Sequence, residues 1–186
     1  MSMHNVIKLR IDMLIIVSQS LILLGLAMGL HFDYARSVIV TICFWLLYMF
    51  LEARYKLYMN NFVRIIIGVT LVSDSFFGYY LELYARSVVF DKILHAFGTY
   101  AFSLFIYILV VQLVKNPINR PLKFILVICL GISIGATYEI LEFLTDRFSH
   151  PPLASQPSLL DTDLDLIGDV IGAVGAAIHA TSKKFI

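Results

Sequence analysis

Charged residues are scarce in this chain of 186 residues. Asp, Glu, Lys and Arg make up 15% of it, whereas 60% of the residues are hydrophobic and the mean hydropathy is +0.86. Soluble domains carry about 25% charged residues, so this composition excludes an ordinary soluble domain and predicts an all-α polytopic membrane protein. The net charge of +1 and the lack of a basic stretch interleaved with aromatic residues do not indicate nucleic acid as a partner.

Cysteine and some familiar catalytic motifs are also rare or missing. Cys43 and Cys129 fall within apolar runs and are expected to be small packing residues, so they predict neither a disulfide nor a metal motif. The chain has no His-Glu-x-x-His motif and no phosphate-binding loop. Two pairs of glycines have the four-residue spacing that lets membrane helices approach closely, and we interpret them as packing residues. They are Gly131 with Gly135 and Gly168 with Gly172.

Six apolar runs approach the ~20 residues that a helix needs to cross a bilayer. The predicted spans are residues 11–30, 36–51, 62–81, 91–114, 122–145 and 165–181. The second and the sixth are short and are expected to lie askew or partly buried. We expect one transmembrane domain over 1–186, with N-terminal helices in 1–87 and the polar motifs in 88–181.

The connections between these runs carry their own signals. The first run follows Lys8 and Arg10 and is expected to be a retained helix rather than a cleaved signal peptide. Residues 82–90 are predicted to form a short interfacial helix. Residues 147–164 form the one long loop, which contains three prolines and therefore cannot be helical throughout. The prolines are Pro151, Pro152 and Pro157.

Basic residues predict the orientation in the membrane. With the N-terminus in the cytoplasm, four basic residues lie outside and the other ten of the 14 lie on the cytoplasmic side. The four are Arg36, Arg86, Lys92 and Arg147; the ten are Lys8, Arg10, Arg54, Lys56, Arg64, Lys115, Arg120, Lys123, Lys183 and Lys184. Both termini are therefore predicted to be cytoplasmic, in the inner membrane of a cell.

Acidic residues gather near the outer ends of three predicted helices, at spacings that place them on single helical faces. They are, with one histidine, Asp91 and His95; Glu139, Glu142 and Asp146; and Asp161, Asp165 and Asp169. An intramembrane carboxylate is costly and indicates a functional site by default. Because His95, Glu142 and Asp169 each lie about one turn inside a helix end, we expect the three faces to share one outward-facing site.

So many carboxylates in a low dielectric repel one another and stay ionised only if a cation neutralises them. Carboxylate oxygens suit Mg²⁺, Ca²⁺ or Mn²⁺, and an added imidazole admits Zn²⁺ or Fe²⁺. We therefore predict a divalent metal with six acidic ligands, His95 as the general acid and base, and Asp91 orienting that histidine. The six are Glu139, Glu142, Asp146, Asp161, Asp165 and Asp169.

A simpler interpretation competes with the metal site. The helical acids could pair with Lys92, Arg86 or Arg147, and the loop acids could be solvated. Asp163 could cap the last helix, since acids favour helix N-termini. Asp74, in the outer half of the third span, is equally compatible with joining the site or with pairing to Arg86.

The spaced motifs of the second half, over about 88–175, resemble those of the YjdF-like family of bacterial inner-membrane proteins and, more distantly, VanZ-like proteins linked to teicoplanin resistance. The motifs are Asp91-Lys92-x-x-His95 with Gly98, Tyr138-Glu139-x-x-Glu142-Phe143, Gln156 five before Asp161, and Asp165, Asp169, Gly172 and Ala173. Asp163 departs from the family, which often has a neutral polar residue there. The resemblance implies a multi-helix membrane fold with these acids as hallmarks, and it implies no reaction.

Two main functions are compatible with these residues. One is a metal-dependent hydrolase or transferase that acts on a lipid or phosphate headgroup at the outer leaflet. The other is a transporter or sensor of a cation or proton, with a structural or interaction role as a third alternative. The inner halves of the spans show almost no ionisable residues beyond Asp12, Arg64 and Lys123, which are expected to be interfacial. This one-sidedness favours the enzyme over a through-path; the sequence does not indicate the substrate or the oligomeric state.

Overall fold

The computed structural model describes residues 3–114, 117–151, 153–182 and 185, apart from the side chain of His4. Within these residues the chain is helical, with seven α-helices and no strand. The helices are α1 (Met3–Met28), α2 (Phe32–Tyr55), α3 (Asn61–Ser73), α4 (Leu83–Arg86), α5 (Val88–Val111), α6 (Arg120–Ser149) and α7 (Leu159–Ala180). A π-helical turn (Asp74–Tyr80) continues α3. Lys115, Pro152, Lys183 and Lys184, which entered the sequence predictions, lie outside the described residues.

Local capping explains where several helices begin. Four of them follow an Asn or Ser whose side chain accepts a hydrogen bond from the backbone N–H three residues later, which satisfies a donor that the first turn would leave unpaired. The capping residues are Asn60, Ser87, Asn119 and Ser158. Because Ser158 caps α7, that helix begins six residues before the predicted 165, and Asp161 and Asp163 lie in its first turns rather than in a loop. The expectation that Asp163 caps this helix was therefore wrong.

Five helical segments are long and apolar enough to cross a membrane in the described part of the chain. They are Asn5–Met28, Phe32–Tyr55, Asn61–Tyr80, Val88–Val111 and Arg120–Ser149. The prediction that α2 is short was wrong, because it has 24 residues. Its polar ends have partners: Arg36 pairs with Asp33, and Glu52 pairs with Arg64. The remaining long helix, α7, has 22 residues and carries four aspartates, which set it apart from the five.

The chain folds as two compact units, Met1–Arg86 and Ser87–Ile186. In the first unit, α1 packs against α2 and α3. The centre of this unit holds a buried ion cluster: Arg64, with 0% of its surface exposed, donates to Asp12 over 2.7 Å and to Glu52 over 2.5 Å. Asp12 and Arg64, which the sequence suggested to be interfacial, therefore each find a counter-charge inside the helix bundle.

In the second unit, α7 packs along both α5 and α6. The glycines at four-residue spacing are the points of closest approach. A Cβ at Gly172 would collide with the Ala96 carbonyl oxygen, and one at Gly131 would lie 3.1 Å from the Ala173 Cα. Cys43 and Cys129 are free and exposed on their helices, so the expectation that they pack inside was wrong.

Candidate cation site

The polar faces of α5, α6 and α7 meet in the second unit. On α5, Asp91, His95 and Thr99 follow one another at four-residue intervals and so lie on one helical face. On α7, the same interval aligns Asp161, Asp165 and Asp169 toward α5. On α6, Glu139 and Glu142 face the same histidine.

His95 lies at the centre of this arrangement and is buried. Its Nδ1 lies 3.3 Å from Asp169 Oδ1 and 3.7 Å from Glu139 Oε1. Its Nε2 lies 3.8 Å from both Asp91 Oδ1 and Asp165 Oδ1. Each ring nitrogen therefore faces two carboxylates, and every one of the three helices contributes to the surroundings of this imidazole.

Lys92 is a cation that the chain itself supplies to these acids. Its Nζ lies 3.0 Å from Asp91 Oδ2, 2.5 Å from Asp161 Oδ1 and 2.6 Å from Asp165 Oδ2. The ion-pair interpretation therefore describes part of the site. Lys92 thus pairs with three of the six carboxyl groups of the site, and the other three, on Glu139, Glu142 and Asp169, form no ion pair with a Lys or Arg among the described residues.

Neutral donors hold the acids on the other side of His95. Gln156 donates its side-chain N–H to Glu139 Oε2 over 2.6 Å and to the Glu139 carbonyl oxygen over 2.8 Å. Thr99 donates its hydroxyl to Asp169 Oδ1 over 2.5 Å. These bonds fix the two side chains without adding positive charge. Tyr138 packs the edge of its ring against His95, with centroids 5.6 Å apart.

Three carboxylate oxygens in the site have no hydrogen-bond partner within the described residues: Glu139 Oε1, Asp165 Oδ1 and Asp169 Oδ2. The residues that carry them are 5%, 1% and 2% exposed. A buried carboxylate oxygen without a donor or cation is energetically costly. Its lone pairs are suited to a positively charged ligand.

Two sets of side chains have the geometry of metal ligands, and His95 belongs to both. They are Asp91–His95–Asp165 and His95–Glu139–Glu142, with one donor atom from each residue within 4.8 Å of the others. Metal–ligand bonds of ~2.1 Å place neighbouring ligand atoms about 3.0–3.6 Å apart. The separations of 3.3–3.8 Å between the His95 ring nitrogens and their four carboxylate neighbours are close to that range.

Three acids that the sequence singled out have other contacts. Both oxygens of Asp146 accept backbone N–H groups, from Ser155 over 2.9 Å and from Gln156 over 2.8 Å, and thereby hold the α6–α7 connection. Asp161 is a partner of Lys92 and belongs to neither metal-like set. Asp74 lies in the first unit and accepts a hydrogen bond from the Tyr84 hydroxyl, while Arg86 pairs with Glu82.

Two residues of the site, Thr99 and Gln156, had no role assigned from the sequence. Thr99 could have been found from its spacing, since it continues the face of Asp91 and His95 by one turn.

Ser133 lies in a segment that has the Gly-x-Ser-x-Gly pattern of a nucleophile elbow, Gly131-Ile132-Ser133-Ile134-Gly135. The segment lies inside α6 and not at a strand-to-helix turn. It therefore gives no indication of a serine nucleophile.

The apolar helices and the buried polar centre between three of them define a multi-pass membrane protein. A family described as "Predicted membrane protein (DUF2238)" matches residues 9–183, and the chain belongs to that family.

A relative of this chain is itself uncharacterised, and solved structures give no indication of an activity for the chain. An "Uncharacterized protein" of Thermotoga maritima is 30% identical over 121 residues, which cover 65% of this chain and 62% of the relative. The match therefore spans less than two thirds of the relative's length. No solved structure matches the chain.

Proposed function

We propose that this protein binds a divalent cation among the carboxylates of α5, α6 and α7. We further propose that it uses the cation in a hydrolase or transferase reaction on a lipid or phosphate headgroup. The observation that carries the first proposal is the set of buried carboxylate oxygens without a partner among the described residues, on Glu139, Asp165 and Asp169. With one ammonium among six carboxyl groups, a bound cation supplies the missing positive charge.

The donor set defines the ion by class. Carboxylate oxygens with one imidazole nitrogen suit Mg²⁺, Mn²⁺, Ca²⁺ or Zn²⁺. Such an ion polarises a phosphoryl oxygen or lowers the pKa of a bound water. With one ring nitrogen on the ion, His95 would act as a ligand, and Asp91, one turn earlier on α5, would orient the imidazole through the other nitrogen. The acid–base role predicted for His95 would require that the carboxylates alone hold the ion.

We also propose a placement in the membrane. α7 forms a sixth crossing, both termini lie in the cytoplasm, and the acids face the outside of a bacterial inner membrane. The ten-to-four division of basic residues supports this orientation. Within its family, we assign the chain to the YjdF-like proteins, on the spacing of its Asp-Lys-x-x-His and Glu-x-x-Glu motifs.

Cation or proton transport is the second candidate, and one contact favours it. On the same α5–α7 interface, the Tyr100 hydroxyl lies 2.5 Å from His179 Nδ1. This pair is about three helical turns from Asp169 along α7. The Tyr100–His179 pair therefore adds titratable groups to the end of the α5–α7 interface away from the acidic site, where the sequence indicated almost no ionisable residues.

Elemental analysis of purified protein tests the cation site. We expect at least one divalent ion per chain, its loss after a chelator wash, and its return when the ion is added back. Asp169→Asn should bind less, whereas Asp33→Asn, at an exposed ion pair in the first unit, should bind as the wild type does. Wild-type protein that neither contains nor takes up an ion would contradict the proposal.

Reconstitution into phospholipid vesicles separates the two candidate reactions. For an enzyme, mass spectrometry should detect a change in lipid headgroups that stops on chelation and stops in Asp169→Asn. For a transporter, the lipids stay intact and a fluorescent indicator inside the vesicles reports entry of the ion or of protons. Ion entry without headgroup chemistry would reject the enzyme in favour of transport.

A further inference from the structure

Starting from the proposed cation site, we infer that the exchangeable cation lies on one side of His95 only, and that Lys92 is a permanent cation on the other side. The Nδ1 half of the site consists of His95 Nδ1, Glu139 and Asp169, whose carboxylate oxygens lie 3.7 Å and 3.3 Å from that nitrogen. The Nε2 half consists of His95 Nε2, Asp91, Asp161, Asp165 and Lys92. The cation binds in the Nδ1 half. This inference rests on the proposed function, because without a bound cation there is nothing to place.

The Nε2 half already holds a positive charge at ligand distance. Lys92 Nζ lies 2.5–3.0 Å from one oxygen of each of the three aspartates in that half. Only the second oxygens of Asp91 and Asp165 face His95 Nε2. A divalent ion placed between them would share both carboxylates with the ammonium, and the two positive charges would repel each other at short range.

The Nδ1 half has no such occupant among the described residues. Two side chains donate hydrogen bonds to its carboxylates and both are neutral, Gln156 to Glu139 Oε2 and Thr99 to Asp169 Oδ1. Glu139 Oε1 and Asp169 Oδ2 remain without partners in the same part of the chain. This half therefore offers two carboxylates and one nitrogen to an ion, and Glu142 has an oxygen within 4.8 Å of ligand atoms of His95 and Glu139.

Binding at Nδ1 also gives the other ring nitrogen a role. With Nδ1 ligating the ion, the proton of the neutral imidazole lies on Nε2, which is equally distant, at 3.8 Å, from Asp91 Oδ1 and Asp165 Oδ1. A histidine ligand whose second N–H faces a carboxylate is the usual arrangement in metal sites. That N–H faces Asp165 Oδ1, an oxygen without a hydrogen-bond partner among the described residues, at a distance longer than a hydrogen bond.

Lys92 itself occupies a position that suits a metal ion. Its ammonium is surrounded by three carboxylates from two helices, which is the environment of an oxygen-ligated cation. Replacement by an uncharged side chain should leave these three carboxylates free to bind a second ion. We therefore expect Lys92→Met to bind two divalent ions where the wild type binds one.

Ion stoichiometry and affinity in four proteins test the placement: the wild type, Glu139→Gln, Asp91→Asn and Lys92→Met, titrated with Mn²⁺ in detergent. Glu139→Gln removes a ligand of the Nδ1 half and should lower affinity by about 100-fold or more, whereas Asp91→Asn removes an orienting partner and should cost about tenfold. Lys92→Met should bind a second ion. Size-exclusion profiles that match the wild type establish that each variant is folded.

Nitrogen NMR of wild-type protein with labelled histidine gives a reading that needs no variant. On adding Zn²⁺, the Nδ1 resonance of one histidine should shift while its Nε2 stays protonated. A shift at Nε2 with a protonated Nδ1 would overturn the inference.

The possible failures are distinguishable. If binding survives in Glu139→Gln and is lost in Asp91→Asn, the ion lies in the Nε2 half; the inference is then wrong and the proposed function stands. If Lys92→Met binds a single ion, Lys92 does not occupy a cation position and that part of the inference is wrong. If the wild type binds no ion, both the inference and the proposed function are wrong.

Discussion

At the scale of single residues, the buried charges of the Arg64 cluster are matched to partners on other helices. Arg64 on α3 reaches Asp12 on α1 and Glu52 on α2, and the Tyr48 hydroxyl lies 3.2 Å from the same guanidinium. A buried ion pair adds modest net stability because desolvation offsets the attraction, but removing one partner leaves an uncompensated charge. The first unit is therefore expected to depend on every member of this cluster.

Asp12→Asn should lower the free energy of unfolding by about 3 kcal/mol, because Arg64 loses one of its two carboxylates in a buried setting. The matched control is Asp33→Asn, which breaks an exposed pair with Arg36 and should cost less than about 1 kcal/mol. Thermal melting in detergent compares the two. Equal losses of stability would show that burial does not increase the contribution of the Arg64 cluster to the free energy of unfolding.

At the scale of helices, the site depends on how closely α7 approaches α5. A Cβ at Gly168 would lie 3.1 Å from the Lys92 carbonyl oxygen, and one at Gly172 would lie 2.9 Å from the Tyr100 backbone nitrogen as well as against Ala96. The backbones are thus in contact where the acids of α7 face His95. Small residues at such an interface allow the interhelical hydrogen bonds to be short.

Gly172→Ala should destabilise the protein by about 1–3 kcal/mol, since the added methyl group forces the two backbones apart. Affinity for the divalent ion should fall as well, because Asp169 moves away from His95. Gly175→Ala on the same helix is the control: its Cβ would meet only the Tyr100 ring at 3.7 Å, an ordinary contact. Melting curves and ion titration of both variants measure the difference, and equal behaviour would contradict this account of the interface.

The sequence predicted the helical membrane fold because apolar runs of the required length are readable without tertiary information. It misplaced the ends of α2 and α7, because an apolar run in the sequence ends at the first charged residue. The helix continues past that residue, since a partner elsewhere in the fold neutralises the charge or a local cap starts the helix earlier. Glu52, for example, is buried because Arg64 and Lys8 both pair with it. For the site, four-residue spacing correctly placed Asp91 with His95 on one face. The pairing of Lys92 with Asp161 and Asp165, 69 and 73 residues away, required the packing of α5 on α7.

At the scale of the whole molecule, the orientation of the protein in the membrane does not follow from the packing of its helices. The acidic site belongs to the unit Ser87–Ile186, and the buried Arg64 cluster belongs to the unit Met1–Arg86. The division of basic residues predicts which membrane face each helix end occupies, because Lys and Arg are retained preferentially on the cytoplasmic side.

Reporter fusions test this orientation. A reporter fused after Ile186 should be active in the cytoplasm, and one inserted near Ser155, in the connection between α6 and α7, should be active outside. A cytoplasmic signal from the Ser155 fusion would place the acidic site on the opposite membrane face and would exclude action on outer-leaflet headgroups.

The measurement that tests the central claim most directly is a set of melting curves of the wild type and Asp169→Asn in detergent. Each is recorded with chelator and with Mg²⁺, Mn²⁺, Ca²⁺ or Zn²⁺. An ion bound only by the folded state stabilises it by about 2.7 kcal/mol at 100 times the dissociation constant. We predict that at least one ion raises the wild-type melting temperature and that Asp169→Asn loses most of this shift. Wild-type melting that is indifferent to all four ions would contradict the cation site.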